Sequence, residues 1–462
     1  MMKLKTDILH DKIDHVIWIV AIPLILTNLI DGIYGLIDSW FVASVSESAI
    51  ASVAFVGPIQ DVATSMGLGV SIAGCSLIAQ YLGGKDVFNA KKMTGQLIVV
   101  GFSLGLLASA LFFFFSDQIL INAGLSPDSV DSDLWEDASI YLKISSWSVA
   151  FNFITVICLA IERARGNTKQ AVPVNMCSLI TKLFFTWLLT VPLDYGLEGV
   201  AFATVLAKFI SATICLVMMI ANKKEESVAL SNLKWDGALV KILLVTAVPL
   251  ALEKSLVSYG FVMINDYVLA VGPEALTAYG LTNKVNSVFF KVVASFGTGV
   301  SVIVAQHVGA GNIPRAEQAI KRSLLFSISI AVAVTVILLP NRGFVASLFL
   351  DQASPAHASM MRAMLIYSGA VIPWAITETA QGIFQGTGNT FFNLVVSMVR
   401  IYVLRIPVVW FFSQPSFSLG EDGIWIAMMV SNILAAVFSF GLFLKNKKKL
   451  LVPKLPQGEQ ES

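Results

Sequence analysis

Charge is scarce in this chain. Asp, Glu, Lys and Arg make up 13% of its 462 residues, about half the share of an average soluble domain. With 56% hydrophobic residues, the chain has too little polar surface to cover a globule in water. Histidine and cysteine are sparse as well, four of each. His10, His15, His307 and His357 are scattered, so there is no His-Glu-x-x-His pair, and no phosphate loop accompanies them. Cys75, Cys158, Cys177 and Cys215 all fall within apolar runs, lack metal-ligand spacing, and read as small core residues. No catalytic centre, metal or cofactor is expected. Acid and base nearly cancel to a net charge of +1, which excludes the basic excess that nucleic acid demands.

What the chain has in quantity is long apolar runs. A run of about 18 or more such residues can cross a bilayer core. These runs predict an all-α polytopic membrane protein with about twelve transmembrane helices, near 15–42, 48–79, 93–115, 138–161, 170–191, 198–221, 238–269, 275–305, 318–340, 360–385, 390–412 and 423–444. The first run is too long, and too well followed by others, to be a cleaved leader.

Positive residues next to helix ends stay on the cytoplasmic side, and here they alternate. Lys3, Lys5 and Lys12 are followed by Lys85, Lys91 and Lys92, then Arg163, Arg165 and Lys169, then Lys223, Lys224 and Lys234, then Arg315, Lys321 and Arg322, and finally the tail lysines 445, 447, 448, 449 and 454. Segments 43–47, 116–137, 192–197, 270–274 and 413–422 carry no Lys or Arg. Arg342 and Arg362 sit on the wrong side, and the tenth connection lacks basic residues. The expectation is a multi-pass protein of the inner (plasma) membrane with both termini cytoplasmic.

The sequence also repeats. Ala79–Gly84 (AQYLGG) matches Ala305–Ala310 (AQHVGA), Gly166-Asn167-Thr168 matches Gly388-Asn389-Thr390, Glu198–Ala203 matches Asp422–Ala427, and Pro23 matches Pro249. The offset is close to 226 throughout. A nearly constant offset in unchanged order predicts two related six-helix lobes, 1–221 and 238–446. A cytoplasmic linker at 222–237 joins them and a tail at 447–462 follows. Six helices per repeat is an even number, so the repeats are parallel.

Ionisable side chains inside spanning helices cost a few kcal/mol each and by default mark an ion or substrate path. In the first helix Asn28, Asp31 and Asp38 fall on one arc at 100° per residue, with Tyr34 and Gly35 nearby. A carboxyl in a low-dielectric cavity tends to keep its proton, which suits it to proton exchange near neutral pH; with a neighbouring hydroxyl or amide it could instead ligate Na⁺. Lys143, Lys182, Lys208, adjacent Glu253 and Lys254, Asp266, Lys284, Lys291, Glu378, Arg400 and Arg405 are further charges within spans. Adjacent Glu253 and Lys254 are expected to point to different faces. Pro23, Pro249 and Pro373 are expected to weaken their helices locally.

Several motifs together resemble the multidrug and toxic compound extrusion (MATE) family along essentially the full length. They are the Pro23 helix ending in Asp38-Ser39-Trp40-Phe41-Val42-Ala43, the segment Ala49–Gly57, the duplicated Ala-Gln-x-x-Gly, Glu162–Thr168 with its echo at Gln385–Thr390, and Arg405-Ile406-Pro407. The resemblance implies a V-shaped pair of six-helix bundles that exports organic cations and other amphipathic drugs, coupled to H⁺ or Na⁺ by alternating access. It also implies that the acidic residue fifteen positions after the first proline, Asp38, is the cation-coupling site. Asp31 joins it as a candidate, and Asn28, Tyr34, Lys182, Glu253 and Glu378 are candidates for the cavity or its charge network. Lys182 departs from the family pattern, with Thr181, Lys182 and Phe184 where some members have an Asn/Asp pair. It is expected to pair with Asp38 or Asp31 as a built-in surrogate cation. The acidic positions of Na⁺-type members fall near Val257 and Trp374, one turn from Glu253 and Glu378, which leaves H⁺ as the expected coupling ion and Na⁺ as the alternative. A lipid-linked saccharide flippase of the same superfamily is the other alternative. Expected partners are small-molecule drugs and the bilayer, with the protein a monomer.

Overall fold

The computed structural model describes residues 7–43, 45–123, 125, 132–221, 230–413 and 419–452. Residues 222–229 of the expected linker and 453–462 of the tail lie outside the described residues, as do Lys3, Lys5, Lys223, Lys224 and Lys454. No strand occurs among the described residues. The helices of the first repeat are α1 (Ile13–Ala43), α2 (Glu47–Gly83), α3 (Val87–Phe114), the short α4 (Ser116–Asn122), α5 (Ser132–Ala164), α6 (Ala171–Thr190) and α7 (Gly196–Ala221). The second repeat contains α8 (Gly237–Val271), α9 (Pro273–Gly309), α10 (Ile313–Leu338), the short α11 (Arg342–Ser347), α12 (Pro355–Tyr367), α13 (Val371–Gly386), α14 (Phe391–Met398), α15 (Ile406–Ser413) and α16 (Gly420–Leu450). Eleven helical runs among the described residues are long and apolar enough to cross a membrane. The remaining long helix, α8, interrupts its apolar run with Glu253, Lys254 and Asp266.

Two runs that the sequence reads as single spans are built in pieces. Pro373 has no N–H to give the Gly369 carbonyl, and just there the chain tightens into a 3₁₀ turn, Ser368–Ala370, between α12 and α13. Val399–Arg405 winds as a π-helix between α14 and α15, ending two residues before Pro407, which likewise lacks a donor. By contrast, helices α1 and α8 run unbroken past Pro23 and Pro249.

The duplication is visible in how helices end. At the end of α2, the Lys85 and Asp86 amides return to the Leu82 and Tyr81 carbonyls at 3.1 and 2.9 Å, with Lys85 at φ 60°. At the end of α9, Gly311 and Asn312 make the same two bonds to Val308 and His307 at 3.0 and 2.8 Å, with Gly311 at φ 69°. This is the double closure that satisfies a helix's last carbonyls through one left-handed residue. Next in the chain, Asp86 Oδ1 accepts from the Asn89 amide and Asn312 Oδ1 accepts from the Arg315 amide, each capping the following helix. Gly166 (φ 77°) and Gly388 (φ 69°) close α5 and α13 in the same way. The repeated AQ-x-x-G and GNT motifs therefore encode helix stops.

Packing sorts the described chain into two compact units: residues up to Asn28 together with those from Leu256 on, and Leu29–Ser255. In the first unit, Trp18 of α1 meets Phe296 and Phe326 at ring distances of 5.7 and 5.4 Å. In the second, α2 and the first part of α8 touch through backbone, since a Cβ on Gly69 would lie 2.6 Å from the Ala251 nitrogen. The boundaries fall five residues after Pro23 and six after Pro249.

Each unit is held by close helix approach at glycines spaced four apart, the small-xxx-small device of apolar helices. A Cβ on Gly382 or Gly386 of α13 would lie 2.1 or 2.4 Å from the Gly297 or Ser301 carbonyl of α9. Against α5, Gly101 and Gly105 of α3 face Ile157 and Phe153 at 1.8 and 2.6 Å. Cys75, Cys158 and Cys215 are buried as expected, but Cys177 is exposed. It sits on the outer side of α6 between exposed Met176 and the buried Ser178–Leu179 pair, so an apolar run alone did not reveal which face it occupied.

Candidate functional site

The polar groups of the Leu29–Ser255 unit gather around Lys182 on α6. Its side chain is 3% exposed, and its Nζ lies 2.7 Å from Asp38 Oδ1 of α1. Nζ also donates to the Val200 carbonyl at 3.0 Å and to the Thr204 hydroxyl, both on α7. The ammonium thus has two hydrogen-bond acceptors on α7 and an ionic contact with α1. Only one of these partners is charged, so Asp38, 23% exposed, carries the countercharge for a nearly sealed lysine. Removing one partner of such a buried pair costs about 3–5 kcal/mol, because the other is left unpaired.

Tyr34 and Lys208 enlarge the cluster. The Tyr34 ring lies one helical turn from Asp38, with Lys208 Nζ 5.6 Å and Lys182 Nζ 6.0 Å from its centroid, within cation–π range. Lys208 is one turn beyond Thr204 on α7 and lies within electrostatic reach of Asp31. Tyr141 on α5 is within reach of Asp38. Two aspartates on one face of α1 thus meet two lysines from α6 and α7. Of the two pairings expected for Lys182, the structure contains the one with Asp38.

The other candidates lie elsewhere. Asn28 does not join Asp31 and Asp38: its Nδ2 donates to the Lys291 carbonyl at 3.0 Å and to Ser295 Oγ at 2.9 Å, both on α9. Glu253, 2% exposed, is paired with Lys254 Nζ at 3.2 Å. Adjacent side chains were expected to diverge, but the long lysine stem curls back along the helix to reach its neighbour. Glu378 is on α13, half-buried, with its backbone carbonyl 2.5 Å from where a Cβ on Gly297 would stand. Lys143 pairs with Asp117 of α4 at 3.0 Å. The Asp117 carboxyl is held below its usual range, first by the Ser139 hydroxyl at 2.6 Å and then by Lys143. Sequence reasoning missed the partners supplied by Thr204, Tyr141 and the Val200 carbonyl. The i, i+4 spacing of Thr204 and Lys208 was the available signal; a backbone acceptor leaves none.

The unit that contains α9–α16 also buries cations. Arg405, 1% exposed, donates to Ser431 Oγ at 3.0 Å and Asn432 Oδ1 at 2.8 Å on α16. The Arg400 guanidinium stacks over Trp374 at 4.4 Å.

Known proteins share this arrangement of helices. Crystallised relatives superpose closely: a MATE in complex with MaL6 matches at TM-score 0.92 with 16% identity, over 97% of this chain and 99% of that one. The outward-facing conformation of a multidrug resistance MATE family transporter of the MOP superfamily matches at TM-score 0.91 with 17% identity, over the same shares. By sequence, the probable multidrug resistance protein YoeA of Bacillus subtilis is 22% identical over 94% of each chain. The probable multidrug resistance protein NorM of Thermotoga maritima is 24% identical over 92% of this chain and 91% of its own. The MatE family model matches twice, over residues 23–188 and 249–411, so its two copies begin at Pro23 and Pro249. This chain, a multi-span membrane protein of two repeats, belongs to the MatE family.

Proposed function

We propose that this protein is a secondary multidrug exporter that moves amphipathic compounds, organic cations among them, out across the plasma membrane in exchange for H⁺ by alternating access. Relatives spanning nine-tenths or more of the chain carry multidrug resistance or multidrug export names, which supports the transport class. The observation that carries the coupling is the contact of Asp38 with a lysine that has no other charged partner among the described residues. Protonation of Asp38 discharges the pair and frees Lys182 from its tether, while deprotonation restores the tether. The site therefore changes charge and geometry together when a single proton binds, as exchange of proton for substrate requires. An ammonium at 2.7 Å also occupies the position that Na⁺ would take and repels a second cation, which favours H⁺ over Na⁺.

Both termini and the 222–237 linker are taken as cytoplasmic, on the basis of the Lys/Arg alternation. The test is drug uptake into inverted vesicles under an imposed pH gradient without Na⁺. Wild-type protein should respond to the gradient, and Asp38→Asn should fall to the level of empty vesicles. Because Asp38→Asn strands a buried ammonium, Asp38→Asn with Lys182→Met serves as the folded control and should be equally inactive. Transport driven by Na⁺ alone and indifferent to pH would refute proton coupling.

A further inference from the structure

The chemistry of α9 stands apart from the paired site on α1, α6 and α7. Lys284 and Lys291 are seven residues apart, so they fall on one face about 10 Å apart along the axis. Both are exposed, with Thr277 and Gly280 on the same face. Lys291 lies about 21 Å along the helix from Thr277 and about 27 Å from Gly309, the ends of the apolar run. That depth is beyond the reach of a lysine stem to either interface, so snorkelling cannot place its charge among headgroups. A lysine facing hydrocarbon at mid-depth costs about 2.5–3.5 kcal/mol, and an exposed one there belongs to a water-filled cavity.

Among the described residues neither ammonium meets a carboxylate, whereas Lys182 and Lys254 each do. The turn that carries Lys291 is also fixed. Its carbonyl accepts from Asn28 Nδ2 at 3.0 Å and from Ser295 Oγ at 3.0 Å. Beside it, Phe290 packs into the core on Trp374 at 5.1 Å and on Tyr367 at 5.9 Å, which holds the turn from another face of the helix. Two cations without a countercharge among the described residues, on a fixed turn inside an apolar span, match an apolar compound that bears an acidic group.

We propose that the Lys284–Lys291 face of α9 binds the carboxylate, sulfonate or phosphate of an amphipathic substrate. This deepens the exporter reading and rests on it for the fate of the compound, but binding can be measured without transport. The probes are 2-naphthalenesulfonate and 2-naphthylmethylammonium, which have one ring system and opposite charge, tested by equilibrium dialysis against the purified full chain. Wild type should bind the sulfonate about tenfold more tightly than the ammonium. Lys284→Gln with Lys291→Gln should erase or invert that preference, and Lys284→Arg with Lys291→Arg should keep it. Equal affinities in the wild type, or a preference unchanged in the double Gln protein when its elution profile is normal, would overturn the assignment. If the double Gln protein elutes as aggregate, Lys291→Gln alone decides by the same criterion. A wild type without sulfonate preference but with pH-driven efflux refutes this inference alone; a wild type with that preference and no response to pH refutes the coupling alone.

Discussion

Lys182 and Arg405 hold nearly equivalent places in the two repeats and have opposite chemistries. Offsets of 222 and 224 residues, set by Gly166/Gly388 and Gly199/Gly423, bring Lys182 to within two residues of Arg405. Each is buried on the fifth long helix of its repeat and bonded to the sixth. Asp38, however, maps to Ile264 under the 226-residue offset of the two prolines, and Ile264 is fully buried in an apolar cluster. Lys182 therefore balances a titratable carboxylate. Arg405, whose guanidinium does not deprotonate, is bound by a serine and an asparagine. One repeat kept a buried acid–base pair, and the other kept a cation that ties the π-helical turn before α15 to α16. The duplicated fold thus places a basic group in both halves, and a single residue on the first helix decides which of them faces a carboxylate.

The largest effect that would break this comparison is on coupling. Lys182→Met removes the cation that faces the Asp38 carboxylate at 2.7 Å. The pH optimum of gradient-driven efflux should move upward, with turnover retained at the new optimum. An unchanged optimum would mean that Lys182 is structural, like Arg405. Arg405→Met should leave the optimum in place and lower stability, measured as thermal unfolding in detergent.

A smaller effect tests whether the glycine contacts of the two repeats are equivalent supports. Gly382→Ala puts a methyl 2.1 Å from the Gly297 carbonyl, against backbone that cannot turn aside, and should destabilise by about 1–3 kcal/mol. Gly101→Ala meets Ile157 Cδ1 at 1.8 Å and should cost less, because that methyl is the far end of a flexible side chain. Equal losses would show that both interfaces yield in the same way.

The smallest effect makes the repeats more alike. Lys85 adopts φ 60° where the second repeat has Gly311, a backbone region that glycine enters without a Cβ clash. Lys85→Gly relieves that clash but loosens the unfolded chain, and the net gain should be about 0.5 kcal/mol. A loss of stability would mean that the lysine side chain contributes more than its backbone strain costs.

Much of this was legible from the chain itself. Apolar run length fixed the number and approximate bounds of the long helices, because backbone polar groups inside a bilayer must be satisfied within a helix. The repeated AQ-x-x-G and GNT motifs marked helix ends because a left-handed residue is needed to close them, whichever helices they end. The same rule made every intramembrane charge conspicuous, Asp38 and Lys182 included. Tertiary structure alone decided how those charges were shared. Periodicity grouped Asn28 with Asp31 and Asp38, yet Asn28 is held by α9, because packing sends the first part of α1 into a different compact unit from the rest. It set Lys182 against Asp38, turned Lys254 back onto Glu253, and left Lys284 and Lys291 without a carboxylate among the described residues. A helix's own sequence specifies which residues share a face, but the partner of that face lies hundreds of residues away and is chosen only when the helices pack.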